Sequence, residues 1–385
     1  MSFNFADIRP EGHESFRRCS VTVMDTSDPD IQFSPNGESS WVKYFREDVL
    51  KRWSPDGNLE EFSKLIKSIK AVGQSRRYDC AIGVSGGLDS SYLVYLAMKE
   101  GLRPLLFHTD AGWNTEMAVR NIEKIVATTG FDLYTNVINW DALSRLQVAF
   151  LNAGVPNQDI PQDHVIFASL YKTVRKLGIP VVLSGHNEAS ESIMPNAWGY
   201  DAMDSYHIKA IARRFDAGSL RGLPLISKVE YGLRYKLSSR IKIAKPLNLT
   251  RYERQLAIET LKDVFKWEDY GGKHYESRWT RFYQGWWLPT KFGFDKRKAH
   301  LSSLILSNQI TREAAINELT SNHYPLEQRA QDAELVRRKL KLTDSDWDRL
   351  MLRAPTRHTD YPNSAKTTRL LLNSRDFLRR LGIAK

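Results

Sequence analysis

The chain has 385 residues, 42% of them hydrophobic, with 56 Lys and Arg against 45 Asp and Glu and a formal charge of +11. That length holds one large domain with additions or two domains, and the basic balance suits an anionic partner (nucleotide, sugar nucleotide, RNA or acidic protein) without choosing among them. Apolar runs such as Val181-Val182-Leu183 are too short to span a bilayer, the first residues lack the basic start and apolar core of a signal peptide, and two cysteines, Cys19 and Cys80, make no disulfide framework. The cytoplasm is the expected compartment.

Residues 1–75 are rich in turns, at Ser27-Asp-Pro-Asp30, Ser34-Pro-Asn-Gly37 and Ser54-Pro-Asp-Gly57. A helix is predicted over 59–72, with Leu59, Phe62, Leu65, Ile66 and Ile69 on one face. Strands are then expected at 79–84, 103–109, 133–138 and 180–184, and helices at 88–100, 114–129, 141–152 and 162–177, the last stopped by Gly178. Such alternation argues for an α/β fold, a parallel doubly wound sheet with helices on both faces. Ligands of such sheets lie at the carboxyl ends of the strands, so the loops after Val84, Thr109, Ile138 and Ser184 should line one site. From Leu249 onward the pattern is mostly helical, with amphipathic stretches at Glu253–Trp267 and Thr311–Glu318. The expected division is an N-terminal segment 1–75, an α/β domain 76–248 and a helical region 249–385.

The most informative string is Ser85-Gly-Gly-Leu-Asp-Ser90, set between the first strand and a helix. Backbone N–H groups left unpaired at a helix N-terminus favour phosphate. Gly86 and Gly87 remove the Cβ atoms that would hold an anion off, and the Ser85 and Ser90 hydroxyls add donors. Asp89 suggests a Mg²⁺ ion or a capping duty. The string matches the pyrophosphate-binding loop of the ATP pyrophosphatases; no Gly-x-x-x-x-Gly-Lys-Ser/Thr and no Gly-x-Gly-x-x-Gly after a strand is present. His108-Thr-Asp-Ala-Gly-Trp-Asn114 follows the second strand and can border the adenosine, with Asp110 reaching a ribose or metal and Asn114 capping a helix or meeting substrate. After the fourth strand, Gly185 and His186 can contact phosphate, while Glu188 and Glu191 share a helix face and either hold Mg²⁺ or favour a helix N-terminus. In Gly271–Arg281, Lys273, His274 and Arg278 suit a diphosphate, and Tyr275 and Trp279 can stack on a base or sugar. The same mixture also suits single-stranded RNA, or a solvated helix with a core face.

Taken with Glu268-Asp-Tyr-Gly-Gly-Lys-His-Tyr-Glu-Ser-Arg278 and Lys291-Phe-Gly-Phe-Asp-Lys-Arg-Lys-Ala-His300, these motifs resemble the N-acetyl sugar amidotransferases, a family within the PP-loop ATP pyrophosphatase (adenine nucleotide alpha hydrolase-like) superfamily. The resemblance runs from about Cys19 to about Leu319. It implies the synthetase component of acetamidino-sugar formation in O-antigen and other surface polysaccharides. An acetamido group of a nucleotide-activated N-acetyl sugar, UDP-linked by expectation, receives AMP on its oxygen as an O-adenylyl imidate, and ammonia then displaces AMP. ATP and Mg²⁺ are the implied cofactors. A glutaminase subunit and a cyclase-like ammonia-channelling subunit are the implied partners, with no membrane and no nucleic acid. The implied catalytic residues are Ser85, Asp89, Lys273 and His274. Ser85, Gly86, Gly87, Asp89, Ser90, His108, Asp110, Gly185 and His186 are expected to hold ATP. Asn114, Lys273, His274, Glu276, Arg278, Lys296, Arg297 and His300 are expected on the sugar nucleotide, and Asp89, Glu188 and Glu191 on Mg²⁺.

One departure stands out. Relatives resemble one another in two Cys-x-x-Cys pairs around a Val-Met-Asp-Thr-Ser-Asp-Pro run, a spacing suited to structural zinc. Here Val23–Pro29 is intact but the four positions read Cys19, Thr22, Ser39 and Val42, so no zinc is expected unless a residue such as His13 is recruited. Packing through Trp41, Tyr44 and Phe45 should hold the segment instead. Two rivals remain: a tRNA-modifying ligase of the same superfamily, and an inert nucleotide-binding scaffold subunit.

Overall fold

The computed structural model describes residues 4–321 and 324–365, so the end of the expected helical region, 366–385, lies outside the described residues. Five strands, β1 (Cys80–Gly83), β2 (Pro104–Asp110), β3 (Leu133–Val137), β4 (Val181–Leu183) and β5 (Lys242–Ala244), form one parallel sheet in the order β3-β2-β1-β4-β5. The helices are α1 (Ser40–Tyr44), α2 (Leu59–Gly73), α3 (Leu88–Lys99), α4 (Glu116–Thr129), α5 (Trp140–Ala153), α6 (Ile160–Lys176), α7 (Glu188–Glu191), α8 (Ser205–Arg214) and α9 (Lys228–Glu230). The C-terminal region adds α10 (Arg254–Phe265), α11 (Arg278–Phe282), α12 (Leu288–Phe292), α13 (Lys296–Leu306), α14 (Arg312–Thr320), α15 (Leu326–Lys339) and α16 (Asp344–Leu352). No described helix is long and apolar enough to cross a membrane.

Strand alternation builds the two faces. Cys80, Ile82, Leu106, Val181 and Leu183 pack with α2, α3, α4 and α10. Ala81, Leu105, Phe107 and Val182 turn the other way, onto Ala168, Tyr171 and Val174 of α6. The four expected strands and seven expected helices are present within a few residues of their predicted bounds. β5 and α8 were not anticipated. β5 has only three residues, two of them exposed, and no apolar run announces it; it forms because β4 offers an unpaired edge. The topology is that of the expected PP-loop type, with β1 central and a Gly-rich loop leading from it into α3.

A second core is aromatic. Trp113, Trp198, Trp279, Phe282, Tyr283, Trp287 and Phe294 gather around Met24 of the N-terminal segment. Trp279 is buried with its ring centre 5.5 Å from that of Trp113, which removes it from the residues expected to stack on a base or sugar. The N-terminal segment is tied in by Trp41 Nε1 donating to Asp28 (2.7 Å), by Phe45 in the sheet core and by a buried Lys298–Asp25 pair at 2.5 Å. At the cysteine-poor motif, Cys19 Sγ accepts the N–H groups of Val21, Thr22 and Ser39 at 3.2–3.4 Å. Thr22, Ser39 and Val42 are buried around it, and His13 accepts a local turn bond from Ser15. Among the described residues no group of three His, Cys, Asp or Glu could hold a metal. The described parts of the three expected segments share cores: Phe45, β1 and α10 lie in one, and Met24, Trp113 and Trp279 in another.

Candidate active site

β1 delivers the chain into the loop Ser85–Ser90, and α3 starts at once with Gly87 as its N-cap. The loop is locked from both sides. Gly87 N–H donates to Ser85 Oγ (3.2 Å) and Ser91 Oγ to Gly87 O (2.7 Å). Trp267 Nε1 and the Tyr270 hydroxyl both donate to Gly86 O, at 2.9 and 2.8 Å. Gly86 has φ +81°, and a Cβ there would sit 2.6 Å from Ala118 O of α4. Its glycine is therefore required by the turn and by the packing of α4, and it does not line the cavity as expected. Gly87 does line it; a Cβ there would lie 2.8 Å from Glu276 Oε1.

The loop opens into a chamber of about 470 Å³ lined by Ser85, Asp89, Ser90, Glu191, Lys273 and Arg297, among others. Its charges are interlocked. Lys273 Nζ lies 2.7 Å from Glu191 Oε1, 3.4 Å from Asp89 Oδ2 and 2.9 Å from Ser190 Oγ. His186 Nδ1 is 2.6 Å from Glu191 Oε2, and the Tyr252 hydroxyl donates to Asp89. Burial opposes the charge on Glu191, but Lys273 and His186 outweigh it and hold the carboxyl well below its ordinary range. Burial also opposes the charge on Lys273, and Glu191 and Asp89 raise its pKa in spite of it.

The Lys273–Glu276 segment curls over the loop because His274 adopts a left-handed conformation, φ +64°. Short backbone bonds then hold it there: Thr115 N–H to Glu276 O (2.9 Å) and Arg278 N–H to Trp113 O (2.8 Å). Ser85 Oγ donates to Glu276 Oε1 at 3.2 Å. His274 stands 3.9 Å from the same carboxylate, and against the cost of burial its pKa is raised. His300 is the opposite case. Burial, then Lys273 and His274, push its pKa well down; its Nδ1 faces Ser190 O at 3.1 Å and its Nε2 has no partner.

A second chamber, about 550 Å³, lies over the ends of β1, β2, β4 and β5 and shares Ser85, Gly185, His274, Glu276 and Lys296 with the first. His108 and Asn114 line it, hydrogen-bonded to each other at 3.0 Å. Its far wall is the start of α6, where Asp159, Gln162 and Asp163 face the chamber. Burial and then the neighbouring Asp159 push Asp163 up to about 7.

Most predicted residues therefore converge on one double chamber, across long sequence distances. Three do not. Arg278 Nε is spent on the buried Asp332 at 2.7 Å, which also takes Arg281 and Tyr324, and Arg278 lines neither chamber. Glu188 pairs with Arg52 at 3.5 Å, away from the chambers. Asp110 accepts from Gly112 and Asn114 and shapes its own loop. Sequence reasoning missed Tyr252, Arg254, Asp159 and Asp163. Asp159 and Asp163, four apart around Pro161, read as ordinary helix-start acids.

Asp89 and Glu191 suit Mg²⁺ held with ATP phosphates, since that ion is commonly bound by one or two carboxylates plus substrate oxygens. Lys273 occupies the space between them and already supplies a cation there.

No curated protein matches the chain. Among solved structures it is similar to the U34-tRNA thiolase NcsA from Methanococcus maripaludis with its 4Fe–4S cluster, at 14% identity and TM-score 0.33 over 74% of this chain and 82% of that one. It is also similar to NMN synthetase from Francisella tularensis, at 17% and 0.28 over 56% and 94%. A third is the NH3-dependent NAD synthetase from Campylobacter jejuni subsp. jejuni NCTC 11168, at 15% and 0.29 over 54% and 93%. Residues 276–373 match the family model described as LPS biosynthesis protein WbpG-like, C-terminal domain. The matched segment is the one that sets Glu276 against Ser85 and brings Lys296 to the shared wall.

Proposed function

We propose that the chain is an ATP-dependent, AMP- and pyrophosphate-forming synthetase of LPS biosynthesis, acting in the cytoplasm on a nucleotide-activated N-acetyl sugar. Its product carries an acetamidino group in place of the acetamido group. The observation that carries this reading is the first chamber: the phosphate loop forms one wall and the WbpG-like segment, with Glu276, Lys296, Arg297 and His300, forms another. The proposed division of labour follows. Residues 1–75 brace, 76–248 hold ATP and 249–385 present the sugar.

The chemistry suits these residues. The acetamido oxygen attacks the α-phosphorus, and pyrophosphate departs onto the N–H groups that start α3. Lys273 neutralises the developing charge, and phosphate entering the loop takes the Ser85 hydroxyl from Glu276. Asp89 and Glu191 would hold Mg²⁺, which supplies charge neutralisation on the phosphates when bound. Arg254 remains for the diphosphate of the sugar nucleotide, with Arg297, already paired to Asp295 at 2.7 Å, beside it on the chamber wall. Ammonia then attacks the imidate carbon and AMP leaves. The supply of ammonia is assigned to a glutaminase and a cyclase-like partner, because Cys19 is enclosed in its turn and Cys80 lies inside β1, its thiol pKa raised by burial. The test is pyrophosphate release by purified protein with ATP, Mg²⁺ and ammonium. Release only on adding a UDP-N-acetyl sugar uronate supports the reading; release with tRNA alone, or none with any such sugar, overturns it.

A further inference from the structure

Lys296, in the wall common to the two chambers, is nine-tenths buried, yet its ammonium makes no hydrogen bond or ion pair among the described residues. It rests 5.4 Å from the centre of the Tyr283 ring. Across the second chamber stand two carboxylates of unequal circumstance. Asp159 is anchored, accepting from Gln284 Nε2 (3.1 Å) and Thr280 Oγ1 (3.4 Å). Asp163, one helical turn on, accepts nothing among the described residues and lines the chamber. A buried charge without a partner is costly; Lys296 is such a group, and the half-buried Asp163 carboxyl on the other side of the chamber is open to the same space, so a ligand that satisfies both fits there. That ligand carries an acceptor toward Lys296 and an N–H donor toward Asp163.

The amidine-forming step supplies that pair of groups. Ammonia adds its lone pair to the carbon of the protonated O-adenylyl imidate, and the C=N π pair returns to the sugar nitrogen. The new nitrogen is then an –NH₃⁺ group and must lose a proton before it can push AMP out. Loss of that proton to a carboxylate, followed by breakage of the C–O bond with its electron pair going to AMP, leaves an amidinium cation whose N–H groups match a carboxylate.

We propose that Asp163 is the proton acceptor for the incoming ammonia, with Asp159 as its positioning residue and Lys296 holding the departing oxygen, so that the amidine forms where the two chambers meet. The inference rests on the function proposed above. The charged groups facing Asp163 are Asp159, Lys296 and His274, with Glu276 and His108 also on the chamber wall.

Two readouts separate the claims: sugar-dependent ATP–pyrophosphate exchange for adenylylation, and amidine formed from ammonium at fixed free-ammonia concentration. If the wild-type chain shows no sugar-dependent exchange, the proposed function falls, and this inference with it. If exchange is present, Asp163→Asn should lower the ratio of amidine formed to pyrophosphate exchanged by about 10²–10⁴-fold, the usual contribution of a general base. It should also abolish the rise of amidine formation through about pH 7. Asp159→Asn removes a like charge, so the limb should move to lower pH while the limb itself survives. An unchanged ratio in Asp163→Asn, an equal loss of both half-reactions, or a limb that stays in place in Asp159→Asn would overturn the assignment. Should Asp163→Asn fail to fold, the Asp159→Asn limb decides.

Discussion

Two polar clusters, each holding residues of the chain after Gly271, have opposite fates. At Asp332 every charge is answered: Arg278, Arg281 and Tyr324 converge on one fully buried carboxylate at 2.7–2.9 Å. At the chambers the groups are left partly open: among the described residues the Lys296 ammonium and the Asp163 carboxyl make no hydrogen bond or ion pair, and His300 Nε2 has no partner. The first cluster fastens α15 to α11. The second keeps its unsatisfied atoms for a ligand. Burial alone does not separate them; satisfaction does.

The largest effect should come from breaking the satisfied cluster. Asp332→Ala strands two guanidinium groups and should cost about 3–5 kcal/mol, read by denaturant unfolding, with the remaining folded protein still active. A stability loss below about 1 kcal/mol would erase the distinction. Lys273→Met tests the other side. It removes the cation between Asp89 and Glu191 and should lower kcat about 10²–10³-fold, with the chain still folded by circular dichroism. Retained turnover would move the chemistry away from the phosphate loop. Arg278→Ala should cost about 1.5 kcal/mol, since Asp332 keeps Arg281 and Tyr324. It should leave KM for ATP and for the sugar unchanged; a selective rise in the sugar KM would return Arg278 to the binding site.

A pH series sharpens the comparison at a third polar cluster. Asn157 N–H donates to His358 Nε2 (3.1 Å), so His358 Nδ1–H donates to His207 Nε2 (3.0 Å) and His207 Nδ1–H to Pro362 O (3.2 Å). That chain needs both rings neutral. Burial lowers both pKa values, with His207 adding to the effect on His358. The unfolded chain takes up these protons near pH 6.5 and the folded one resists, so their contribution is full above about 6.5 and is lost as pH falls. The slope should approach about 1.4 kcal/mol per pH unit for each ring, and His207→Gln should flatten it in thermal melts between pH 7 and 5.

How much was legible depended on sequence distance. Ser85 to Ser90 could be read because strand, glycine turn and helix start are consecutive, and each leaves a local signal. Lys273 and His274 were legible as a basic-aromatic group, but nothing nearby distinguishes them from Arg278 five residues on. The left-handed turn at His274 and the later helical phase send one set to the cavity and the other to Asp332. Asp163 was hidden in a common helix-start pattern, and its meaning comes from Lys296, 133 residues away by their numbers.

The sequence by itself determined the alternation of strands and helices, the glycine-rich loop after β1 and the lone cysteine at Cys19 in the N-terminal segment, because periodicity, turn chemistry and residue identity are local properties. Only the tertiary structure decided that Glu276 reaches Ser85, that β5 joins the open edge of β4, that Trp279 is core and that Arg278 is a clamp. Those outcomes depend on which distant surfaces meet, and a pairing of that kind is set by the packing of whole layers, which no short window of residues contains.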